Sequence, residues 1–187
     1  MSINFLKKIV LIIFVASVFV SASCNDDQKV PEDPTSVDFL FGSDLSSVNQ
    51  ILDYDGIYTD AGTVASPYKI LKDHGNSLVR LRLWHNPTWT KTIYGDDGKQ
   101  LYNDRADVAL AMQRSKEQGM KVLLDFHYSD TWADPGKQIV PDAWKNIKSI
   151  TVLADSVYNY TKRTLEFYKS KICCPIMFRS VTRSTVV

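Results

Sequence analysis

Cysteine is scarce in this 187-residue sequence: three residues, two of them adjacent at Cys173-Cys174. Neighbouring cysteines rarely pair with each other, and no CxxC or other ligand spacing accompanies them. Neither a disulfide framework nor a metal site is expected. An excess of one charge is also lacking, with 22 Lys+Arg against 21 Asp+Glu. That balance removes the electrostatic reason to expect a nucleic-acid partner. Glycine is sparse at eight residues, and no glycine-rich phosphate loop follows any strand-like segment. A nucleotide cofactor therefore has no cradle, and no cofactor is expected. Long apolar runs are missing too. The longest, Ile9 to Val20, falls well short of the roughly 20 residues a membrane-spanning helix needs.

That run has the form of an export signal. Lys7 and Lys8 precede it, and Ser21-Ala22-Ser23-Cys24 follows it. Residues 1–24 read as a lipoprotein signal peptide, with Cys24 lipidated as the new N-terminus; a plain secretory signal cut at small residues is the alternative. Residues 25–36, polar and proline-containing, read as a tether. The expected location is outside the cytoplasm, held to a membrane by a lipid anchor on the periplasmic or cell-surface side.

From Val37 the chain alternates strand-like and helix-like segments. Val37 to Gly42 is a short apolar strand candidate, followed by a loop containing Gly56 and Gly62. Ser66-Pro67 begins a helix that runs through Asp73 and stops at Gly75. Leu78 to Trp84 forms a second strand, with Val79, Leu81 and Leu83 on one face and Arg80 and Arg82 on the other. A helix over Asp104 to Gln118 ends at Gly119. Lys121 to His127 is the third strand, placing Asp125 and His127 opposite Val122, Leu124 and Phe126. A third helix covers Val152 to Lys169. Repeated βα units mean parallel strands. Parallel sheets normally bury apolar residues on both faces, yet one face here carries Arg80, Arg82, Asp125 and His127. An α/β architecture of the (β/α)8 TIM-barrel type, whose inner face opens to a site at the strands' C-terminal ends, accommodates both facts better than a doubly wound sheet.

The run Asp125 to Pro135 (DFHYSDTWADP) closely resembles the segment after strand three in the family 53 glycoside hydrolases, endo-β-1,4-galactanases acting on galactan and arabinogalactan. Val79 to Trp84 (VRLRLW) resembles their second strand, and Gly42 to Ser47 (GSDLSS) the end of their first. The resemblance spans Val37 to Lys169 and implies a (β/α)8 barrel and retaining hydrolysis by two glutamates, one after strand four and one after strand seven. Retention sets those carboxyl groups about 5–5.5 Å apart.

Neither glutamate is identified in this sequence. Where a GNEIN-like segment should follow the third helix stands Ile172 to Val187, which has no helical or strand period. With suitable synonymous codons, reading from the third base of the Ile172 codon gives MLPDYVQVGNEINSG, the family's fourth strand with its acid/base segment. Residues 37–171 are thus expected to be the first three βα units of the barrel, 172–187 an out-of-frame tail, and the polypeptide as it stands inactive.

The resemblance places Arg80 at the family's active-site arginine, where a guanidinium can hold a nucleophile carboxylate. A salt bridge internal to the barrel is the other reading. Arg82 shares its facing. Asp125 and His127 face the same interior and can form a network with Arg80. Trp132 and, more weakly, Trp84 offer aromatic faces to a sugar ring, whereas Trp144 is assigned to the core. Asp44 either binds sugar hydroxyls or caps the following segment. Asp130 and Asp134 share a loop and are not assigned catalysis. The expected partner is plant cell-wall galactan. A glycan-binding lipoprotein without activity, or a hydrolase of another β-glycan such as mannan, are the alternatives.

Overall fold

Two strands show how alternation builds the sheet. Val79, Leu81 and Leu83, together with Val122, Leu124 and Phe126, are each no more than 2% exposed. Each such side chain contributes about 1.5–3 kcal/mol by leaving water. They belong to strands β4 (Leu78–Leu83) and β5 (Lys121–Phe126), which pair in parallel with Val79 opposite Val122 and Leu81 opposite Leu124. The computed structural model describes residues 39–92, 100–171 and 177–180. Cys24, the leader, the tether and Cys173-Cys174 lie outside the described residues.

The other elements, in chain order, are β1 (Gly42–Asp44), α1 (Val48–Asp53), a small hairpin of β2 (Thr59–Asp60) and β3 (Thr63–Val64), α2 (Pro67–Asp73), α3 (Arg105–Glu117), α4 (Ile150–Ser170) and β6 (Met177–Ser180). The main sheet runs β1-β4-β5-β6, and all three of its pairings are parallel. Helix α3 packs on β4 and β5. Its Val108, Ala111 and Met112 join the six strand residues in one core with Tyr68 and Tyr168.

Helix ends fall where local chemistry puts them. Asp104 caps α3 by accepting from the amides of Ala106 (3.0 Å) and Asp107 (2.8 Å). Gly119 ends it with φ +69°, while its amide donates to Lys116 O and the Met120 amide donates to Ser115 O. Gly75 ends α2 in the same way, with φ +89° and bonds to Lys72 O and, from Asn76, to Leu71 O. Both are Schellman closures, in which glycine supplies the left-handed turn and the chain enters the next strand within a few residues.

Four features depart from the sequence reading. Strand β1 starts at Gly42, where the apolar candidate ends. The presumed loop before α2 holds α1 and the hairpin. Helix α4 is longer at both ends than its periodic run. Residues 177–180, in a tail without period, add a fourth strand on β5. Backbone pairing along an open parallel edge drives this last feature, and needs no side-chain pattern.

Helix α1 is tied in through Asn49, which is 2% exposed. Its amide donates to Asp107 Oδ1 (2.8 Å), and its oxygen accepts from Tyr68 (3.0 Å) and Arg114 (2.5 Å). Asp107 also accepts from the Asn103 amide at 2.7 Å. Burial outweighs those bonds and pushes the Asp107 carboxyl from the ordinary 3.8 up to about 6. A carboxyl raised in this way stabilises the fold below about pH 4, and the contribution is lost as pH rises through 6. The stability difference between the parent and Asp107→Ala is therefore expected to shrink by up to roughly 3 kcal/mol between pH 4 and pH 7, read from urea midpoints.

Candidate active site

The face of the sheet opposite the core gathers charge at the strands' C-terminal ends. Asp44 closes β1 and stands beside Arg80 of β4 in the parallel register, while Arg82 stands beside Asp125 of β5. Arg80 reaches diagonally along this face. Its Nε donates to Asp125 Oδ2 at 2.8 Å, a second guanidinium nitrogen bonds the same oxygen, and the third bonds Asp44. Arg82 lies 3.4 Å from the other Asp44 oxygen. One arginine thus clamps carboxylates from two different strands, the use for which a planar guanidinium fork is suited. Asp125 is fully buried beneath it, and its Oδ1 has no hydrogen-bond partner among the described residues.

Asp44 is held by more than arginine. Burial raises its carboxyl, but bonds from the Ser46 side chain and amide, with the charges of Arg82 and Arg80, bring it below the usual aspartate value. The Ser46 amide donates to it at 3.0 Å as the chain turns toward α1.

His127 follows directly after β5, and its amide donates to Leu83 O at 3.0 Å. The chain then turns sharply at Tyr128, with φ +48°. A non-glycine residue in this region is uncommon, and the Tyr128 hydroxyl is pinned to Thr161 of α4 at 2.8 Å. The turn brings the following loop back over the imidazole. Nδ1 of His127 accepts from the Ala133 amide (3.3 Å) and from the indole of Trp84 (3.2 Å). Its Nε2 is 3.9 Å from Asp125 Oδ2 and is without a hydrogen-bond partner among the described residues. Burial is the main cause that lowers the His127 pKa, with Arg80 and Arg82 adding to it against Asp125 and Asp44. The imidazole is therefore held neutral.

The tryptophans separate into two groups. Trp132 is 44% exposed, with the Arg82 guanidinium 4.6 Å from its ring and His127 edge-on at 5.8 Å. Trp84 is a correction: only 5% of it is exposed, so it has no free face for a sugar, and its indole N–H points into the site. The aromatic surface expected of it belongs to Trp89, 39% exposed, which packs on Trp84 with centroids 5.2 Å apart. The Trp89 indole donates to Asp130 O at 3.0 Å. Nothing in local sequence periodicity distinguishes Trp89 from Trp84, because the 3₁₀ turn over Thr88–Lys91 decides which ring surfaces. Trp144 packs against His85 and Tyr160 and is 8% exposed.

Asp130 is a loop staple. Its carboxylate accepts from the Asn86 amide and the Asp142 amide, both at 2.8 Å, tying three segments together at the rim. Asp134 accepts from the Gly136 amide at 2.7 Å within its own turn. On the described part of the open face, carboxylates come from aspartates only. Glu117 lies at the end of α3 and Glu166 in α4.

Residues 40–178 match the family model for glycosyl hydrolase family 53. The chain belongs to that family. It is 46% identical over 127 residues to an arabinogalactan endo-β-1,4-galactanase of Cellvibrio japonicus, covering 68% of this chain and 31% of the relative. It is 40% identical over 134 residues to an endo-β-1,4-galactanase of Bacillus subtilis, covering 69% and 29%. Its structure resembles the family 53 catalytic domain of Ignisphaera aggregans, with a TM-score of 0.66, 35% identity, and coverage of 78% of this chain and 40% of that one. A fungal β-1,4-galactanase structure gives 0.63, 29%, 74% and 38%. The chain thus spans about a third of the curated relatives it matches. Family 53 proteins are (β/α)8 barrels, and the four parallel strands with their helices form part of that barrel. In a barrel the open face is the interior, so the Arg80 cluster sits at the end of the strands where such folds carry their sites.

Proposed function

We propose that this chain forms part of the substrate-binding wall of an exported, lipid-anchored endo-β-1,4-galactanase. The observation that carries the reading is the Arg80 clamp: one guanidinium joins Asp125 and Asp44 on the open face, beside His127 Nε2, which has no partner among the described residues. A preorganised cluster of this kind can orient sugar hydroxyls and hold an incoming carboxylate. The named activities of the Cellvibrio and Bacillus relatives support β-1,4-galactan as the substrate. In the complete barrel two glutamates from later strands act as acid/base and nucleophile, and Arg80 donates hydrogen bonds to the nucleophile. Trp132 and Trp89 supply ring surfaces at the rim. Residues 172–187 are out of frame in this reading, and residues 1–24 direct export with Cys24 as the lipid anchor.

Titration of this chain with galactotetraose and mannotetraose, followed by tryptophan fluorescence, tests the ligand class. Galactotetraose is expected to quench emission, and Trp132→Ala to weaken its binding about three- to tenfold, the scale of one lost stacking contact. Equal binding of mannotetraose would contradict the galactan assignment.

A further inference from the structure

We propose that Trp84 is a positioning residue: it locks His127 in the single neutral tautomer that keeps an N–H directed toward the Arg80–Asp125 cluster. The inference deepens the sugar-site reading and rests on it for its functional meaning, but not for its geometry.

Two donors converge on one ring nitrogen. The Trp84 indole N–H lies 3.2 Å from His127 Nδ1 and the Ala133 amide 3.3 Å from the same atom. Neither group can accept a hydrogen bond, so Nδ1 must present its lone pair. A neutral imidazole then carries its hydrogen on Nε2. Protonating Nδ1 would set an N–H against two donors, so the same contacts oppose the imidazolium. The charged groups around the ring are Asp125 from β5, Arg80 and Arg82 from β4, and Asp44 from β1, two of each sign.

The locked hydrogen has nowhere to go within the described residues. Nε2 is buried without a partner, and Asp125 Oδ1 is buried without one on the same face. His127 is 3% exposed and Asp125 fully buried. Unpaired buried groups of this kind are costly, and they persist where a ligand completes them. Nε2–H is a donor and Oδ1 an acceptor, on side chains that stand 3.9 Å apart at Nε2 and Oδ2, and a hydroxyl can accept from the one and donate to the other. That is the chemistry of a sugar ring carbon bearing OH. Trp84 touches none of this directly. It acts through His127, and its burial at 5% exposure keeps water from competing for the indole N–H.

The test is the nitrogen spectrum of His127 in the full chain, labelled with ¹⁵N and read by long-range ¹H–¹⁵N correlation. In the parent chain above the pH of its titration, Nδ1 is expected in the unprotonated range and Nε2 in the protonated range. Trp84→Phe keeps a ring in place and removes the N–H. It is expected to populate the Nδ1–H tautomer, drawing the two shifts together, and to move the titration of His127 to higher pH. Trp89→Phe is expected to leave both unchanged. A role for Trp84 in packing alone would leave the tautomer intact in Trp84→Phe, and that result overturns the proposal. So does a parent spectrum with Nδ1 protonated or with averaged tautomers for any reason, including a site that does not assemble. If Trp84→Phe does not fold, the parent spectrum decides. A locked tautomer in a chain that binds no galactotetraose would leave the positioning role standing and overturn the sugar-site reading instead.

Discussion

Arg80→Ala is expected to destabilise the chain by about 3 kcal/mol, the lower end of what stranding one partner of a buried ion pair costs. Asp125 is fully buried, and Arg80 supplies both bonds to its Oδ2. Removal strips Oδ2 of both bonds, with the neutral His127 Nε2 3.9 Å away. Arg80 itself is 28% exposed along its side chain, which moves the figure toward the lower end of the range. Arg82→Ala is the comparison. Arg82 meets Asp44 at 3.4 Å and lies over Trp132, contacts worth about 1 kcal/mol in total. Arg80→Lys restores charge without the fork and should recover only part of the loss. Urea midpoints of the three variants check the ordering, and equal losses for Arg80→Ala and Arg82→Ala would show that the clamp contributes no more than a surface pair.

The second large effect concerns catalysis. The 187-residue polypeptide is expected to release no detectable reducing sugar from galactan, because its described open face presents no glutamate. On the proposed out-of-frame reading, a version in which the fourth strand reads VQVGNEIN and the barrel continues is expected to show turnover. Residues 177–180 form the fourth strand on β5. The coding sequence tests the idea directly. Codons at 172–187 that do not yield GNEIN in the shifted frame would remove the frameshift from the account.

Much of the architecture is legible in the sequence because strong local signals coincide there. Alternation across Leu78–Leu83 and Lys121–Phe126 sorts the core residues from those on the charged face, since a strand's period of two leaves no freedom. Asp104, Gly75 and Gly119 mark helix ends through side-chain and backbone chemistry that acts within one turn. Helix α1 is not legible. It has six residues, and Ser47 at its start makes no side-chain cap. What holds it is Asn49 bonding to Asp107, 58 positions away. Such a short helix is stabilised by tertiary contacts rather than propensity.

The site shows the same division. Arg80, Asp125 and His127 are found together because all three lie on the non-core face of two adjacent strands or directly beyond it. Asp44 is brought in by register with Arg80. Trp84 is buried and Trp89 holds the exposed position expected of Trp84 because loop geometry, set by a 3₁₀ turn and by the bonds that Asp130 makes, orients their rings. The Ala133 amide carries no side-chain signal at all, and its bond to His127 exists only because Tyr128 turns the chain back.

The most direct test of the central claim is the product pattern of the frame-repaired protein on two polysaccharides. β-1,4-Galactan is expected to be cut internally into short oligosaccharides while β-1,4-mannan stays intact. Cleavage of mannan in preference to galactan, or no cleavage of either by a folded protein carrying GNEIN, would contradict the account.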